Sequence, residues 1–213
     1  MLIFNVIKQS AIDLWDEMLY LIIFNIVCLI GILLIIPGPF VTFGLYGLAY
    51  DVGQGRGIKF STFFVHGRRL WKQAYLWGGI NLAVLLMLGL NLNFYGGVEA
   101  EWARIAQVVV FSVAFFWIVL QLVMLPLYPR LIEPGFKLAL RNAAVVIGRY
   151  PLMVFALAVM VALVWGLTLI FPPVVFLGAL AITAVVCNRV VGALVDKELE
   201  REAENETSTP RRQ

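Results

Sequence analysis

Four stretches of this 213-residue chain contain no Asp, Glu, Lys, Arg or His: residues 18–50, 73–98, 105–129 and 150–188. They are 33, 26, 25 and 39 residues long. A bilayer core of ~30 Å takes about 20 apolar helical residues, so each middle run fits one span. The outer runs are too long for single spans, and proline divides both, at "IIPGPF" (35–40) and "IFPPVV" (170–175). Proline removes a backbone donor and clashes with the preceding turn. The last run therefore predicts a helical hairpin over 151–170 and 174–195. Residues 18–36 give a helix of ~28 Å, and 39–50 one of only ~18 Å. The latter either crosses as a short tilted helix extending past Asp51 or dips in and returns. The pattern predicts an all-α integral membrane bundle with six transmembrane helices, alternatively five.

Between the spans the period changes. In "FSTFFVHGRRLWKQAYLWGG" (60–79), Phe60, Phe63, Phe64, Gly67, Leu70, Trp71, Ala74 and Tyr75 share one helical face. Thr62, His66, Arg69 and Gln73 occupy the other, flanked by Arg68 and Lys72. In "GFKLALRNAAVVIGRYP" (135–151), Phe136, Ala139, Leu140, Ala143 and Ile147 oppose Lys137 and Arg141. Helices with aromatic and basic faces lie in the membrane interface, where each cation near anionic headgroups contributes ~1 kcal/mol. The interface residues expected from this reading are Phe63, Phe64, Arg68, Arg69, Trp71, Lys72, Lys137 and Arg141, with His66 facing headgroups or water. Span, interfacial helix and span thus occur twice, either as an internal repeat or as a common way of seating a bundle.

Composition agrees: 62% of residues are hydrophobic and 14% charged, against ~45–50% and ~25% in soluble chains. Of the 16 Lys and Arg, five lie in 51–72, four in 130–149 and five after Cys187. Loops rich in Lys and Arg stay cytoplasmic, so these clusters belong inside while 96–102 and 171–173 face outward. Lys8 and the polar character of the first helix place the N-terminus inside as well, and no cleavable leader is expected. Residues 1–195 form one transmembrane domain. The tail 196–213, "DKELEREAENETSTPRRQ", reads as a cytoplasmic helix extension fraying into disorder.

Little chemistry is written into the chain. "GQGRG" (53–57) lacks the G-K-[ST] ending of a phosphate loop and reads as a turn. A single histidine supplies neither a zinc cluster nor paired haem ligands, and Cys28 and Cys187 read as apolar packers. No enzyme, cofactor, metal or nucleic acid is expected. At membrane depth the polar residues are uncharged: Asn25, Asn81, Gln107, Gln121, Thr168 and Asn188. Such amides bond between helices, while a polar path for a polyhydroxylated solute would use Asp51, Asn81, Gln107 and Gln121. Asp51 is expected at the cytoplasmic surface, within reach of Arg56 or Lys59. Ala158, Ala162 and Gly166, Ala184, Asn188 and Gly192, and Gly44 with Gly47 are small-residue stripes that permit close helix approach.

The segments "DLWDEMLYLIIFNIVCLIGILLIIPGPFVTFGLYGLAYDV" and "FSTFFVHGRRLWKQAYLWGGINLAVLLMLGLNLNFY" resemble the YesL-like family of bacterial multi-pass membrane proteins of unknown function, over roughly residues 10–195. The resemblance rests on the proline break, Gly44-Leu45-Tyr46, the Phe63-Phe64 pair and the amphipathic helix leading into a span. Asp51 and "GQGRG" depart from the more basic, less glycine-rich segment usual there. It implies a bacterial plasma-membrane location, no catalytic residues, and an association with carbohydrate uptake. Two functions follow as expectations: an accessory or permease-like uptake component, or a non-catalytic assembly or membrane-organising protein. Anionic lipid, a transporter subunit and a second copy of the chain are the partners these expectations name.

Overall fold

The computed structural model describes residues 8–12 and 15–208, and those residues form helices and turns with no strand among them. Nine α-helices are named here: α1 Met18–Leu33, α2 Gly38–Gly53, α3 Phe60–Arg69, α4 Trp71–Gly96, α5 Glu101–Leu127, α6 Phe136–Arg149, α7 Pro151–Ile170, α8 Pro173–Leu177 and α9 Ala179–Ser208. A 3₁₀ turn, Tyr128–Arg130, closes α5. Among the described residues four segments are long and apolar enough to cross a membrane: Trp71–Gly96, Glu101–Arg130, Pro151–Ile170 and Ala179–Glu204. Met18–Leu33 is apolar but shorter.

The short second helix is the centre of the molecule. Eleven of the sixteen residues of α2 are buried, and α1, α3, α4, α5 and α9 all pack against it. Its glycines explain how so many neighbours fit. A Cβ on Gly44 would meet the Phe63 ring and backbone at 3.0–3.1 Å, and one on Gly47 would sit on the His66 imidazole. With hydrogen there instead, α3 lies directly on the α2 backbone, and Phe63 stacks on Phe24 of α1 with ring centroids 4.5 Å apart.

Three prolines fall at helix starts, where the missing donor is tolerated: Pro39 in the first turn of α2, Pro151 opening α7 and Pro173 opening α8, while Pro126 lies inside α5 near its end. Division of the last hydrophobic run is therefore as read from sequence, with a five-residue helix inserted at the bend. The α9 helix continues from the bundle to Ser208, the helical extension read from the sequence after Asp196. It is held by Tyr150, which donates to Glu198 Oε2 at 2.8 Å, and by the 3.0 Å Arg149–Glu198 ion pair. Residues 209–213 lie outside the described residues.

Packing is uneven. α4 buries only Ala74, Asn81 and Leu88, and apart from Ala103 the buried residues of α5 all lie within 119–127. These two helices form an arm whose distal half exposes large apolar side chains, Phe94, Phe111 and Phe116 among them. One stripe needs correcting: Ala162 is exposed, and α7 packs through Val154, Leu157, Val161 and Thr168 instead. These residues follow the same helical period but offer more contact area than the small side chains. The α9 stripe is buried at Ala184, Asn188 and Gly192.

Candidate functional site

The interfacial residues read from sequence divide between two environments. Phe64 and Trp71 are 43% and 50% exposed, and Arg68, Arg69, Lys72, Lys137 and Arg141 are exposed as well. Lys72 lies over the Trp71 ring, 5.7 Å from its centroid. Phe63 is the exception: it is fully buried between α1 and α2, in the space that Gly44 leaves. The face of α3 assigned to headgroups and water also turns partly inward. His66 is not solvated: its Nε2 lies 2.7 Å from Asp51 Oδ2, and the two side chains are only 12% and 10% exposed. Gln73, which the sequence put on the same face but which lies in the first turn of α4 beyond a break at Leu70, donates to Pro134 O at 3.0 Å. His66 and Gln73 each have a partner, so they pack without the cost of an unpaired buried polar atom.

Asp51 takes its second contact from Arg56 Nη1, 3.3 Å from Oδ1. Pairing with Arg56 was expected from sequence and the histidine was not, because His66 reaches Asp51 only after α3 folds back over Gly47. The result is a carboxylate held between an imidazole and a guanidinium at the end of α2. Among the described residues no group of three or more His, Cys, Asp or Glu is placed to hold a metal ion.

The proposed polar path does not assemble. Asn81 and Gln121 are neighbours, but each is tied to a tryptophan across the α4–α5 interface. Trp77 Nε1 donates to Gln121 Oε1 at 2.7 Å, and Trp117 Nε1 donates to Asn81 Oδ1 at 3.0 Å. Asn81 Nδ2 also donates back to Trp77 O at 2.9 Å. Gln107 lies near Gly96 at the distal end of the arm, and Asp51 belongs to the α2–α3 contact. Asn81 and Gln121 share one level of the α4–α5 interface while Gln107 and Asp51 lie apart from it, so the four form no continuous row.

Three further polar joints hold the bundle. Asn25 donates to Val175 O and Phe176 O at 2.7 and 3.1 Å, and its Oδ1 accepts from the Leu180 and Ala181 N–H groups at 3.0 and 3.3 Å. One side chain thus partners both backbone edges of the α8–α9 break. Arg130 Nη1 donates to Pro126 O and Asn188 Oδ1, and Nη2 to Asn188 O, at 2.7–2.9 Å. Its guanidinium also lies 4.8 Å from the Tyr50 ring centroid and occupies space that a Cβ on Gly192 would close. The third joint, Asn188 Nδ2, donates to Tyr46 O at 3.3 Å. Sequence reading counted Arg130 only as part of a cationic loop. Its position after a proline-containing helix end, where carbonyls lack partners, was the available signal.

An open groove of about 520 Å³ runs between the α1–α2 turn and α4. Its walls are largely Ile32, Ile35, Ile36, Leu82 and Leu85, with Thr42 of α2 and Tyr75 and Asn81 of α4 also lining it. Thr42 Oγ1 donates to Gly38 O at 2.8 Å. Comparison of the chain with protein-family models, with curated proteins and with solved structures finds no significant match.

Proposed function

We propose that this chain is a non-catalytic integral membrane protein that organises or assembles its surroundings in the bilayer. It would hold six membrane helices, with both termini and the cationic clusters on the cytoplasmic side. The observation that carries this reading is the use made of the amides at membrane depth. Asn25, Asn81, Gln121 and Asn188 each bond a neighbouring helix. Interhelical bonds of this kind contribute ~0.6–1.7 kcal/mol each, so the polar side chains serve as joints between spans. The exposed Arg68, Arg69, Lys72 and Trp71 then supply an interfacial surface suited to anionic headgroups.

A second reading, an accessory or permease-like component of carbohydrate uptake, draws support from the groove, whose lining includes Thr42, Tyr75 and Asn81. The resemblance to the YesL-like family favours the same association and is itself a proposal. Co-purification from native membranes in a mild detergent, followed by mass spectrometry, separates the two. Recovery of the chain with lipid or with itself supports the organising role. A stoichiometric transporter subunit, together with loss of sugar accumulation on deletion, would replace it with the uptake role.

A further inference from the structure

The three helical hairpins differ in what their turns are made of. Between Leu33 and Gly38, and again between Leu169 and Gly178, no side chain is polar. Leu33, Ile36, Leu169 and Ile170 are 75–85% exposed. The α4–α5 turn is the opposite case, carrying Glu99 and Glu101 and flanked by an edge-on Tyr95–Trp102 pair with centroids 5.9 Å apart. Acidic turns beside an aromatic pair are characteristic of an aqueous boundary.

The backbone of the two apolar turns is also closed on itself. In the first, Leu34, Ile35, Ile36 and Gly38 donate to Ile30, Ile32, Leu34 and Ile35 carbonyls at 2.7–3.2 Å, and Pro37 and Pro39 have no N–H to satisfy. Ile35 takes φ 63° to close this turn, a conformation seldom adopted by a β-branched residue. In the second, Phe171, Val174, Val175 and Gly178 donate to Leu167, Phe171, Pro172 and Val174 carbonyls at 2.8–3.1 Å. Pro172 and Pro173 remove two further donors, and Leu180 and Ala181 donate to Asn25 Oδ1. A turn in water has solvent for these groups. A turn in hydrocarbon must satisfy them internally.

Register points the same way. Pro39 lies against Gly78, the eighth residue of α4, so eighteen further residues of α4, ~27 Å of helix, extend beyond the start of α2. Arg130 meets Asn188, only nine residues or ~14 Å from the start of α9, while α5 runs ~39 Å from Leu127 back to Glu101. Both apolar turns therefore stop short of the α4–α5 turn.

We infer that only the α4–α5 hairpin reaches the far aqueous surface, and that the α1–α2 and α7–α9 hairpins turn inside the hydrocarbon layer beneath acyl chains of the far leaflet. The inference rests on the membrane reading above and leaves the sidedness of both termini unchanged. It gives the protein a wide inner half and a two-helix outer half. It also moves residues 171–173 from the outer surface, where the charge pattern alone put them, into lipid.

The test uses the full chain in phosphatidylcholine–phosphatidylglycerol vesicles, with Glu99→Cys, Ile36→Cys, Ile170→Cys and Phe111→Cys made singly. The buried native Cys28 and Cys187 serve as the unmodified blank, and Leu33→Cys and Leu169→Cys stand in for any variant that misfolds by circular dichroism. A membrane-impermeant maleimide should label Glu99→Cys rapidly and the other positions at least tenfold more slowly. Bimane attached at 36 and 170 should be quenched by acyl-chain-brominated lipid, and at 99 should not. Labelling of 36 or 170 at the rate of 99 would overturn the inference, as would rapid labelling of 111, which would place the arm in water. Release of the protein by carbonate, with every position reactive, would instead remove the membrane reading itself. Discovery of a transporter subunit would change the proposed role without altering the labelling pattern.

Discussion

Replacing Asn25 by alanine tests whether a single amide holds the α8–α9 break together. The side chain is fully buried and makes four contacts, two as donor to Val175 and Phe176 carbonyls and two as acceptor from Leu180 and Ala181. Removing it leaves two carbonyls and two N–H groups without that partner. Each such loss costs ~1–3 kcal/mol in a dry interior, whereas measured interhelical bonds in membranes reach only ~1.7 kcal/mol because the freed groups find other partners. The four contacts share one side chain and will not add in full, so the expected loss is ~2–4 kcal/mol. The comparison variants apply related chemistry in other settings. Asn81→Leu removes one bond from Trp117 and should cost ~1 kcal/mol. Asn91, whose amide bonds Met87 O of its own exposed helix face, should tolerate leucine within ~0.5 kcal/mol. Reversible SDS titration from mixed micelles, followed by circular dichroism, gives the three free energies, and hydrogen exchange at 180 and 181 locates the loss. If Asn25→Ala unfolds with Asn91→Leu, or if exchange at 180–181 is unchanged, the amide is not a structural joint and the argument from backbone satisfaction fails.

Gly47→Ala should lower stability by ~1–3 kcal/mol, since the new methyl must displace the His66 ring. Gly79→Ala, with nothing within 4 Å of its Cβ, should stabilise α4 by ~0.5–1 kcal/mol, and thermal unfolding in detergent distinguishes the two. Asp51→Ala and His66→Ala should each cost ~1–3 kcal/mol and the double variant much less than their sum, so a near-zero coupling energy would show that the 2.7 Å contact carries no stability. The hydrogen bond that Tyr150 donates to Glu198, reinforced by the neighbouring carboxylate charge, raises the tyrosine pKa above its usual ~10. Its contribution is thus complete below pH ~10 and is lost as pH rises through the higher folded value. Exchange protection across 197–204 should fall at that alkaline step in the wild type, and Tyr150→Phe should remove the step.

Much of the architecture was legible in the unbroken chain. Charge-free runs with proline interruptions gave the helix breaks at 35–40 and 170–175, because length, hydropathy and a missing N–H act locally. The amphipathic helices α3 and α6 were legible for the same reason, from spacings of three and four around Phe60 and Phe136, but the break at Leu70 between α3 and α4 was not. The candidate sites were much less so. Nothing near Asp51 in sequence names His66 as its partner, and the amphipathic pattern of α3 argued against it by assigning that residue to solvent. Asn25 read as one more buried amide, since its four partners lie about 150 residues away. Ala162 had the right periodicity for a packing stripe but faces outward, because period alone leaves open which of two apolar faces meets the bundle.

Hydrophobic segment lengths and the distribution of Lys and Arg thus determined the material of the protein, helices free of ionised groups bounded by cationic edges, since transfer to lipid is a property of each segment. Tertiary structure alone decided that the 16-residue α2 would be enclosed on so many sides, that α4 and α5 would stand out as an arm, and that glycines on α2 would seat Phe63 and His66. Those outcomes depend on which surfaces meet at van der Waals distance, and contacts between residues far apart in the chain leave no periodic trace along it.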